Sequence, residues 1–198
     1  MTPDLPEPPQ LPEPFAALDH LTAEPTVDQA SALTKALKGV PDLQRWLRVQ
    51  RQLTTRGLLD GNKTAAELAP VLEVGKQRVY DIASGHLNSA ALARKAKAEA
   101  DKPPQLPEPF AALDHLTAEP VVDQARALTK ALKGVPDLQR WLRVQRQLTT
   151  RGLLDGNKTA AELAPVLEVG KQRVYDIANG HQNSADARRA KAKADKPA

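Results

Sequence analysis

The side chains with the clearest capacity for chemistry in this sequence are arginines that recur every three to five residues along one predicted helix: Arg45, Arg48, Arg51 and Arg56. Guanidinium groups on one face of a helix are suited to holding the phosphates of a polyanion, although a charged face turned to solvent gives the same pattern. The set recurs 95 residues later as Arg140, Arg143, Arg146 and Arg151, and duplication alone would preserve it. The pattern therefore leaves a phosphate-binding stripe and a solvated face as alternatives.

Beyond the arginines, the sequence lacks the residue sets on which enzymes and metal sites depend. It contains no cysteine, which excludes disulfides, thiolate catalysis and cysteine-based zinc sites and fits a reducing compartment. His20 and His115 each lie beside one aspartate, and a metal needs more ligands than that. The sequence has no Ser/His/Asp set, glycine-rich phosphate loop or carboxylate pair at catalytic spacing. We therefore expect no enzymatic activity and no metal, cofactor or small-molecule substrate.

Charge is distributed unevenly along the chain, whose net charge of +4 says little by itself. Residues 1–40 carry six acidic residues against two lysines, whereas residues 41–99 carry ten basic residues against six acidic ones. The second half of the chain repeats this trend. An acidic leading part followed by a basic body is the asymmetry expected of a nucleic-acid binder. Because no apolar run approaches the roughly 20 residues that cross a bilayer, we expect no membrane partner and a cytoplasmic, nucleoid-associated location.

One unit is written twice in this chain. Residues 10–15 recur as 105–110, and Trp46 recurs as Trp141, a constant offset of 95 that defines a first copy over 9–103 and a second over 104–198. Aromatic residues make up only 3% of the chain, so the core must consist mainly of aliphatic side chains, which favours helices. The sequence therefore predicts an all-α fold of two tandem copies of a small four- to five-helix domain. We expect a proline-rich acidic leader over 1–25, one domain over 26–101, a proline-rich linker over 102–120 and a second domain with a basic tail over 121–198.

Within each copy, apolar spacing and capping residues predict several separate helices. Prolines favour an extended leader over 9–25, which the linker repeats. A first helix over 27–38 ends at Gly39, and a second begins at Pro41 and runs to about residue 56. Two short helices over 64–72 and 76–84 follow, and then an Ala-, Lys- and Arg-rich helix from 89 to about 100. We expect Trp46 in the core, and Phe15 and Phe110 docked on their own copy.

The stretch over 64–83, repeated over 159–178, carries the functional prediction. Thr64 and Glu67 have the spacing of a capping box. Four apolar residues are spaced to pack two helices across a three-residue turn: Leu72, Val74, Val79 and Ile82. The stretch resembles the helix-turn-helix of Cro-like phage repressors and of the C-terminal DNA-binding domain of serine resolvases. Pro70 and Glu73 depart from that pattern, so the first of the two helices is either kinked or begins near Leu68.

The resemblance implies that the helix over 76–84 lies in the major groove of double-stranded DNA. Lysine and arginine donate to guanine, glutamine pairs with adenine, and tyrosine reaches a phosphate or a thymine methyl group. The implied base-contacting residues are Lys76, Gln77, Arg78, Tyr80 and Ser84, with Lys171, Gln172, Arg173, Tyr175 and Asn179 in the second copy. The predicted phosphate-contacting residues are Arg45, Arg48, Arg51, Arg56, Lys63 and Thr64, with Arg140, Arg143, Arg146, Arg151, Lys158 and Thr159 in the second copy.

We therefore expect a sequence-preferring DNA-binding protein, either a transcriptional regulator or a factor of a phage, plasmid or other mobile element. An extended linker of 19 residues, at about 3.1 Å per residue, would let two near-identical recognition helices reach adjacent major grooves. Two alternatives stay open: an architectural or packaging protein that coats or bridges DNA with little specificity, and a helical protein–protein adaptor. The leader is also a candidate surface for a second copy of the chain or for a protein partner.

Overall fold

The computed structural model describes residues 13–22, 25–85, 106–117 and 121–180. Every regular element within these ranges is helical, which confirms the predicted all-α class. In the first copy a 3₁₀ helix, Glu13–Thr22, precedes α1 (Val27–Asp60), α2 (Ala65–Leu72) and α3 (Lys76–Ser84). In the second copy a 3₁₀ helix, Glu108–Thr117, precedes α4 (Val122–Asp155), α5 (Ala160–Val166) and α6 (Lys171–Ala178). The helix expected over 89–100 and both basic tails lie outside the described residues.

The first two predicted helices are a single helix, so the expected break at Gly39 and Pro41 is wrong. α1 continues through both residues, and α4 likewise continues through Pro136. The reason is an apolar face that runs uninterrupted past the proline: Leu33, Ala36, Val40 and Leu43 follow one another at helical steps and are each at most 4% exposed. Burial on both sides of Pro41 outweighs the roughly 3 kcal/mol that a proline costs inside a helix.

The leader and linker are not extended where the structure describes them, which corrects that prediction over 13–22 and 108–117. Phe15, Leu18 and Leu21 are buried, and they recur at every third residue. A 3₁₀ helix has about three residues per turn, so this spacing places all three side chains on one edge. The Gln29 side-chain amide then donates to the Leu21 carbonyl at 2.6 Å and ties the 3₁₀ helix to α1.

By their contacts, the described residues form two compact units. One comprises 13–17 and the described part of 39–136; it contains α2 and α3, which we call the first corner, and the first part of α4. The other comprises the described part of 18–38 and 137–180; it contains α5 and α6, the second corner, and the first part of α1. Each unit therefore draws on both copies, whereas we expected each copy to form its own domain.

The Phe110 side chain illustrates how a residue of one copy packs on the other. It is fully buried, and a Cβ placed on Gly39 would lie 3.1 Å from its ring. Both residues belong to the first-corner unit. Phe110 therefore packs against the first copy, a contact that the expectation of docking within one copy did not include. Trp46 is 2% exposed, which confirms its predicted place in the core.

Candidate nucleic-acid interface

The predicted capping box at the start of α2 is confirmed. The Glu67 backbone N–H donates to the Thr64 hydroxyl at 3.3 Å, and the Thr64 backbone N–H donates to the Glu67 carboxylate at 2.8 Å. These two hydrogen bonds satisfy N–H groups that have no partner within the helix. The helix therefore begins at Ala65, and the alternative start near Leu68 is wrong. Thr159 and Glu162 form the same box at the start of α5.

Pro70 lies inside α2 without ending it. Proline removes the hydrogen bond that its own N–H would give to the carbonyl of Ala66, four residues earlier. Ala66 and Pro70 are both exposed, so water can reach that carbonyl. The helix ends only two residues later, at Leu72, which limits the cost further.

The apolar sides of α2 and α3 pack against each other as the sequence predicts. Leu68, Leu72, Val79 and Ile82 are at most 7% exposed and form one cluster with Leu58 of α1. Val74, in the turn, packs against this cluster and is partly buried. The second corner repeats the arrangement with Leu153 of α4 and with Leu163, Leu167, Val174 and Ile177.

The turn of the first corner depends on a glutamate in an unusual backbone conformation. Glu73 has φ 53° and ψ 46°, in the left-handed region, and its N–H donates to the Ala69 carbonyl. Glu168 adopts the same conformation with φ 52°. A non-glycine residue there costs about 1–2 kcal/mol, which explains why glycine is the more usual residue at such turns. Both corners keep the glutamate, and both glutamates form ion pairs with lysines, Lys133 and Lys38 respectively.

The N-terminus of α3 is open to solvent. Gly75 takes the N-cap position with φ −72° and ψ 157°, and no side chain caps the first turn. A Cβ at Gly75 would meet no atom within 4 Å, and the same holds at Gly170 before α6. No side chain therefore caps the first turn of either helix, and a helix N-terminus of this kind attracts anions.

The polar side of α3 faces away from the apolar cluster. Lys76, Gln77 and Ser84 are exposed, and Tyr80 is 54% exposed although it is a large aromatic side chain. Four residues of the second corner are exposed in the same way: Lys171, Gln172, Tyr175 and Asn179. Asn179 lies one residue beyond the end of α6. Eight of the ten residues predicted to contact bases are thus accessible from solvent.

The remaining two, Arg78 and Arg173, lie at the side of their helices. The Arg78 guanidinium is 3.5 Å from the Asp81 carboxylate, and that of Arg173 is 3.6 Å from Asp176. Both arginines are partly buried. They lie between the exposed face and the long helix that supports it.

Arg78 belongs to a cluster of three arginines contributed by two helices. Arg48 and Arg51 come from α1, and the Arg51 Nε is buried without a hydrogen-bond partner in the described part of the chain. Burial lowers the pKa of the Arg51 guanidinium, and the positive charges of Arg78 and then Arg48 lower it further. Arg146 repeats this beside the second corner, with Arg173 and Arg143 as its neighbours. A cluster of like charges beside an exposed polar face is an arrangement that a bound polyanion would stabilise.

The other predicted phosphate-contacting residues are more dispersed. Several pair with acidic residues of their own helix or corner: Arg56 with Asp60, Arg140 with Asp137, Arg151 with Asp155, Lys63 with Glu67 and Lys158 with Glu162. Arg45 is partly buried. The Thr64 and Thr159 hydroxyls are already engaged in the two capping boxes. The structure therefore concentrates basic charge near Arg51 rather than along an even stripe.

Sequence reasoning missed the proximity of Arg51 and Arg78. They lie 27 residues apart, and only the packing of α3 on α1 brings them together. The one sequence signal is Gly85, just after α3; in the structure, a Cβ added there would be 2.7 Å from Nε2 of Gln52, the neighbour of Arg51. A glycine just after the helix, with φ 73°, marks both a left-handed turn and this close approach.

Comparison with protein-family models gives no match, and neither do comparisons with curated proteins and with solved structures. Among the described residues, no helix combines the length and the apolar character that crossing a membrane requires. The same residues contain no group of three or more histidine, aspartate or glutamate side chains placed to hold a metal ion.

Proposed function

We propose that this chain binds double-stranded DNA through two helix-turn-helix corners, with α3 and α6 each entering a major groove. The observation that carries the proposal is the two-sided character of these helices. Val79 and Ile82 hold the apolar side of α3 in its corner, while Lys76, Gln77 and Tyr80 stay accessible on the other side. Lysine and glutamine side chains at the start of an exposed helix match the hydrogen-bonding edges of base pairs.

The arginine cluster supports the same proposal. Arg48, Arg51 and Arg78 place positive charge beside α3, where the DNA backbone would pass if α3 occupied the groove. Phosphates neutralise such a cluster and release counterions, so binding should weaken steeply with salt. The open N-terminus of α3 would add a favourable dipole to this contact.

Two near-identical corners in one chain would also act together. Because the two predicted base-contacting sets differ only at Ser84 and Asn179, both corners should prefer nearly the same half-site. Linking two such modules can raise avidity by about 10²–10⁴ without any new contact. An extended linker does not carry the two corners to adjacent grooves, because residues 108–117 form a 3₁₀ helix.

The test begins with selection of DNA fragments from a random pool by the full chain. Affinity for the selected site is then measured for Lys76→Ala/Lys171→Ala and for a matched pair, Lys35→Ala/Lys130→Ala. Both pairs remove two exposed lysines, but Lys35 and Lys130 lie on α1 and α4. We expect the first pair to lose about tenfold or more in affinity, and the second no more than about threefold.

The outcomes separate the alternatives. Equal losses in both pairs would point to an architectural protein held by net charge alone. A regulator should also prefer its selected site over random DNA by about 10³-fold or more. Absence of any salt-dependent DNA binding would refute the proposal and favour a protein–protein adaptor.

A further inference from the structure

Each corner is completed by a helix from the other copy of the sequence. Ala30, in the first copy, is fully buried in one cluster with Leu163, Val174 and Ile177 of the second corner. Ala125, in the second copy, is buried in the same way with the apolar residues of the first corner. Val27 and Val122 pack beside them. The two contacts are equivalent under the offset of 95 residues that relates the copies.

Polar contacts follow the same crossed pattern. Lys38 of the first copy forms an ion pair with Glu168, in the turn of the second corner. Lys133 of the second copy forms one with Glu73, in the turn of the first corner. Lys38 and Glu168 belong to one compact unit, and Lys133 and Glu73 belong to the other.

Close packing of backbone and rings adds a third set of contacts between copies. Phe110 of the second copy lies against Gly39 of the first, and Pro25 of the first copy lies 3.0 Å from where a Cβ on Gly152 would be. Both long helices run without a break through the Gly-Val-Pro segment at which a helix hairpin would have to turn. Residues 27–38 therefore pack on the second corner instead of folding back toward the first.

We propose that the two copies are the subunits of a segment-exchanged dimer fused into one chain, so that their association does not depend on the covalent connection between them. The surface that receives residues 122–136 on the first corner is the same surface that receives 27–38 on the second. Its partner is thus a second copy of this same repeat, supplying the start of a long helix with a buried alanine in its first turn and a paired lysine eight residues further on. The inference stands independently of DNA binding.

The test cuts the full chain at one place and asks whether the halves stay together. A recognition sequence for a specific protease is inserted between Pro103 and Pro104, where the first copy ends, outside the described residues. After cleavage, we expect native mass spectrometry and gel filtration at low micromolar concentration to show pairs of halves near the 21.4 kDa of the intact chain. Pairs formed by two identical halves would support the proposal equally, because the copies present the same surfaces. Separation of the halves, whether they stay folded or not, would overturn it.

A zero-length carbodiimide cross-link then identifies the contact. This reagent joins a lysine directly to a carboxylate with which it is paired. The Lys38–Glu168 and Lys133–Glu73 pairs should therefore restore a band near full length on a denaturing gel of the cleaved protein. If each copy closed on itself, Lys38 would instead meet Glu73 and the halves would remain separate.

Two variants of the cleavable chain control the cross-link. Lys38→Ala/Lys133→Ala should lose the full-length band, since both paired amines are gone. Lys63→Ala/Lys158→Ala should keep it, because those lysines pair with Glu67 and Glu162 of their own corners. A band that persists in the first variant would overturn these two ion pairs as the cross-linked contact, whereas absence of the band from the unsubstituted cleaved chain would count against the proposal.

Discussion

At the scale of single residues, Arg51 shows a conflict between stability and the proposed binding. Its Nε is buried without a hydrogen-bond partner among the described residues, and its guanidinium lies near two other positive charges. A residue kept only for the fold would rarely combine these two costs. Such a combination makes Arg51 a candidate contact for an external anion.

Arg51→Met tests this conflict, because methionine keeps much of the side-chain volume and removes the charge. We expect the Tm to rise by a few degrees at low salt, since repulsion and desolvation are both relieved. Under the proposed function, affinity for DNA should fall by about tenfold. Arg56→Met is the matched control, because the Arg56 side chain is 70% exposed and lies near Asp60, so its Tm should not rise. A lower Tm for Arg51→Met would mean that Arg51 is instead a structural contact.

Glu73 carries a second cost, which arises from the backbone. Glu73→Gly removes both the left-handed strain and the ion pair with Lys133, whereas Lys133→Ala removes only the ion pair. Glu73→Gly should therefore be more stable than Lys133→Ala by about 0.5–1 kcal/mol, which is the strain of about 1–2 kcal/mol less the larger unfolded-chain entropy of glycine. Urea unfolding of both variants measures this difference. Equal stabilities would show that the turn stores no strain at this position.

At the scale of helices and turns, the capping boxes predict a specific loss of stability in acid. The pKa of Glu67 is lowered, first by the hydrogen bond from the Thr64 backbone, then by the Thr64 hydroxyl and the charge of Lys63. A carboxylate whose pKa is lower in the folded state stabilises the protein above its unfolded pKa, and that contribution is lost as pH falls through the folded pKa. The window therefore lies below the ordinary value of 4.5.

Glu67→Gln/Glu162→Gln should be less stable than the natural chain at pH 6, and the gap should narrow as pH falls below about 4. Midpoints of urea unfolding at pH 6, 4 and 3 measure the gap. The difference in stability at pH 6 is the reference. Because both chains share all other titrating groups, any change of this difference with pH comes from Glu67 and Glu162. A gap that stays constant with pH would show that the carboxylate charge does not contribute.

Substitutions at Gly75, just before α3, can distinguish an effect on helix stability from an effect on the proposed DNA binding. Gly75 already has N-cap backbone angles and free space for a side chain. Gly75→Ser and Gly75→Asp should each stabilise the protein by about 0.5–1 kcal/mol, because both side chains cap the helix and reduce the freedom of the unfolded chain.

Only Gly75→Asp should weaken DNA binding, by about tenfold, since it adds a negative charge where a phosphate or base edge would approach. Parallel thermal unfolding and gel-shift titrations of the two variants measure this. Equal affinity for both would place the DNA away from the start of α3.

The sequence predicts the elements that depend on near neighbours along the chain. Thr64 and Glu67 lie three residues apart, and Gly75 and Gly85 flank α3 directly, so local rules suffice. The long helix was missed because Gly39 and Pro41 are helix-ending residues by local rules, whereas the buried face that spans them is a property of the whole molecule. The 3₁₀ helices were missed for a similar reason, since prolines at 12 and 14 outweighed the three-residue spacing of Phe15, Leu18 and Leu21.

At the scale of the whole molecule, the duplication hides the most important contact from the sequence. Ala30 and Ala125 occupy the same position in two nearly identical copies, so no sequence pattern tells which corner each one completes. The candidate site can still be predicted from the sequence, because Lys76 and Lys171 are exposed whichever copy supplies the supporting helix. The sequence therefore predicts the exposed face, but it does not tell which copy supplies the helix that packs behind that face.

This crossed arrangement predicts that a change in one copy will loosen the corner of the other. Ala30→Leu keeps a strong helix former at this position but overfills a buried site, which costs about 1–3 kcal/mol. Because Ala30 packs with Val174 and Ile177, hydrogen exchange should accelerate in α6 and stay nearly unchanged in α3. Ala125→Leu should do the opposite, since Ala125 packs with Val79 and Ile82. Mass spectrometry can distinguish peptides of the two helices because α3 ends with Ser84, whereas α6 is followed by Asn179. Faster exchange in α3 on replacing Ala30 would mean that each copy closes on itself in solution, and the symmetric pair of variants guards against a general loss of stability.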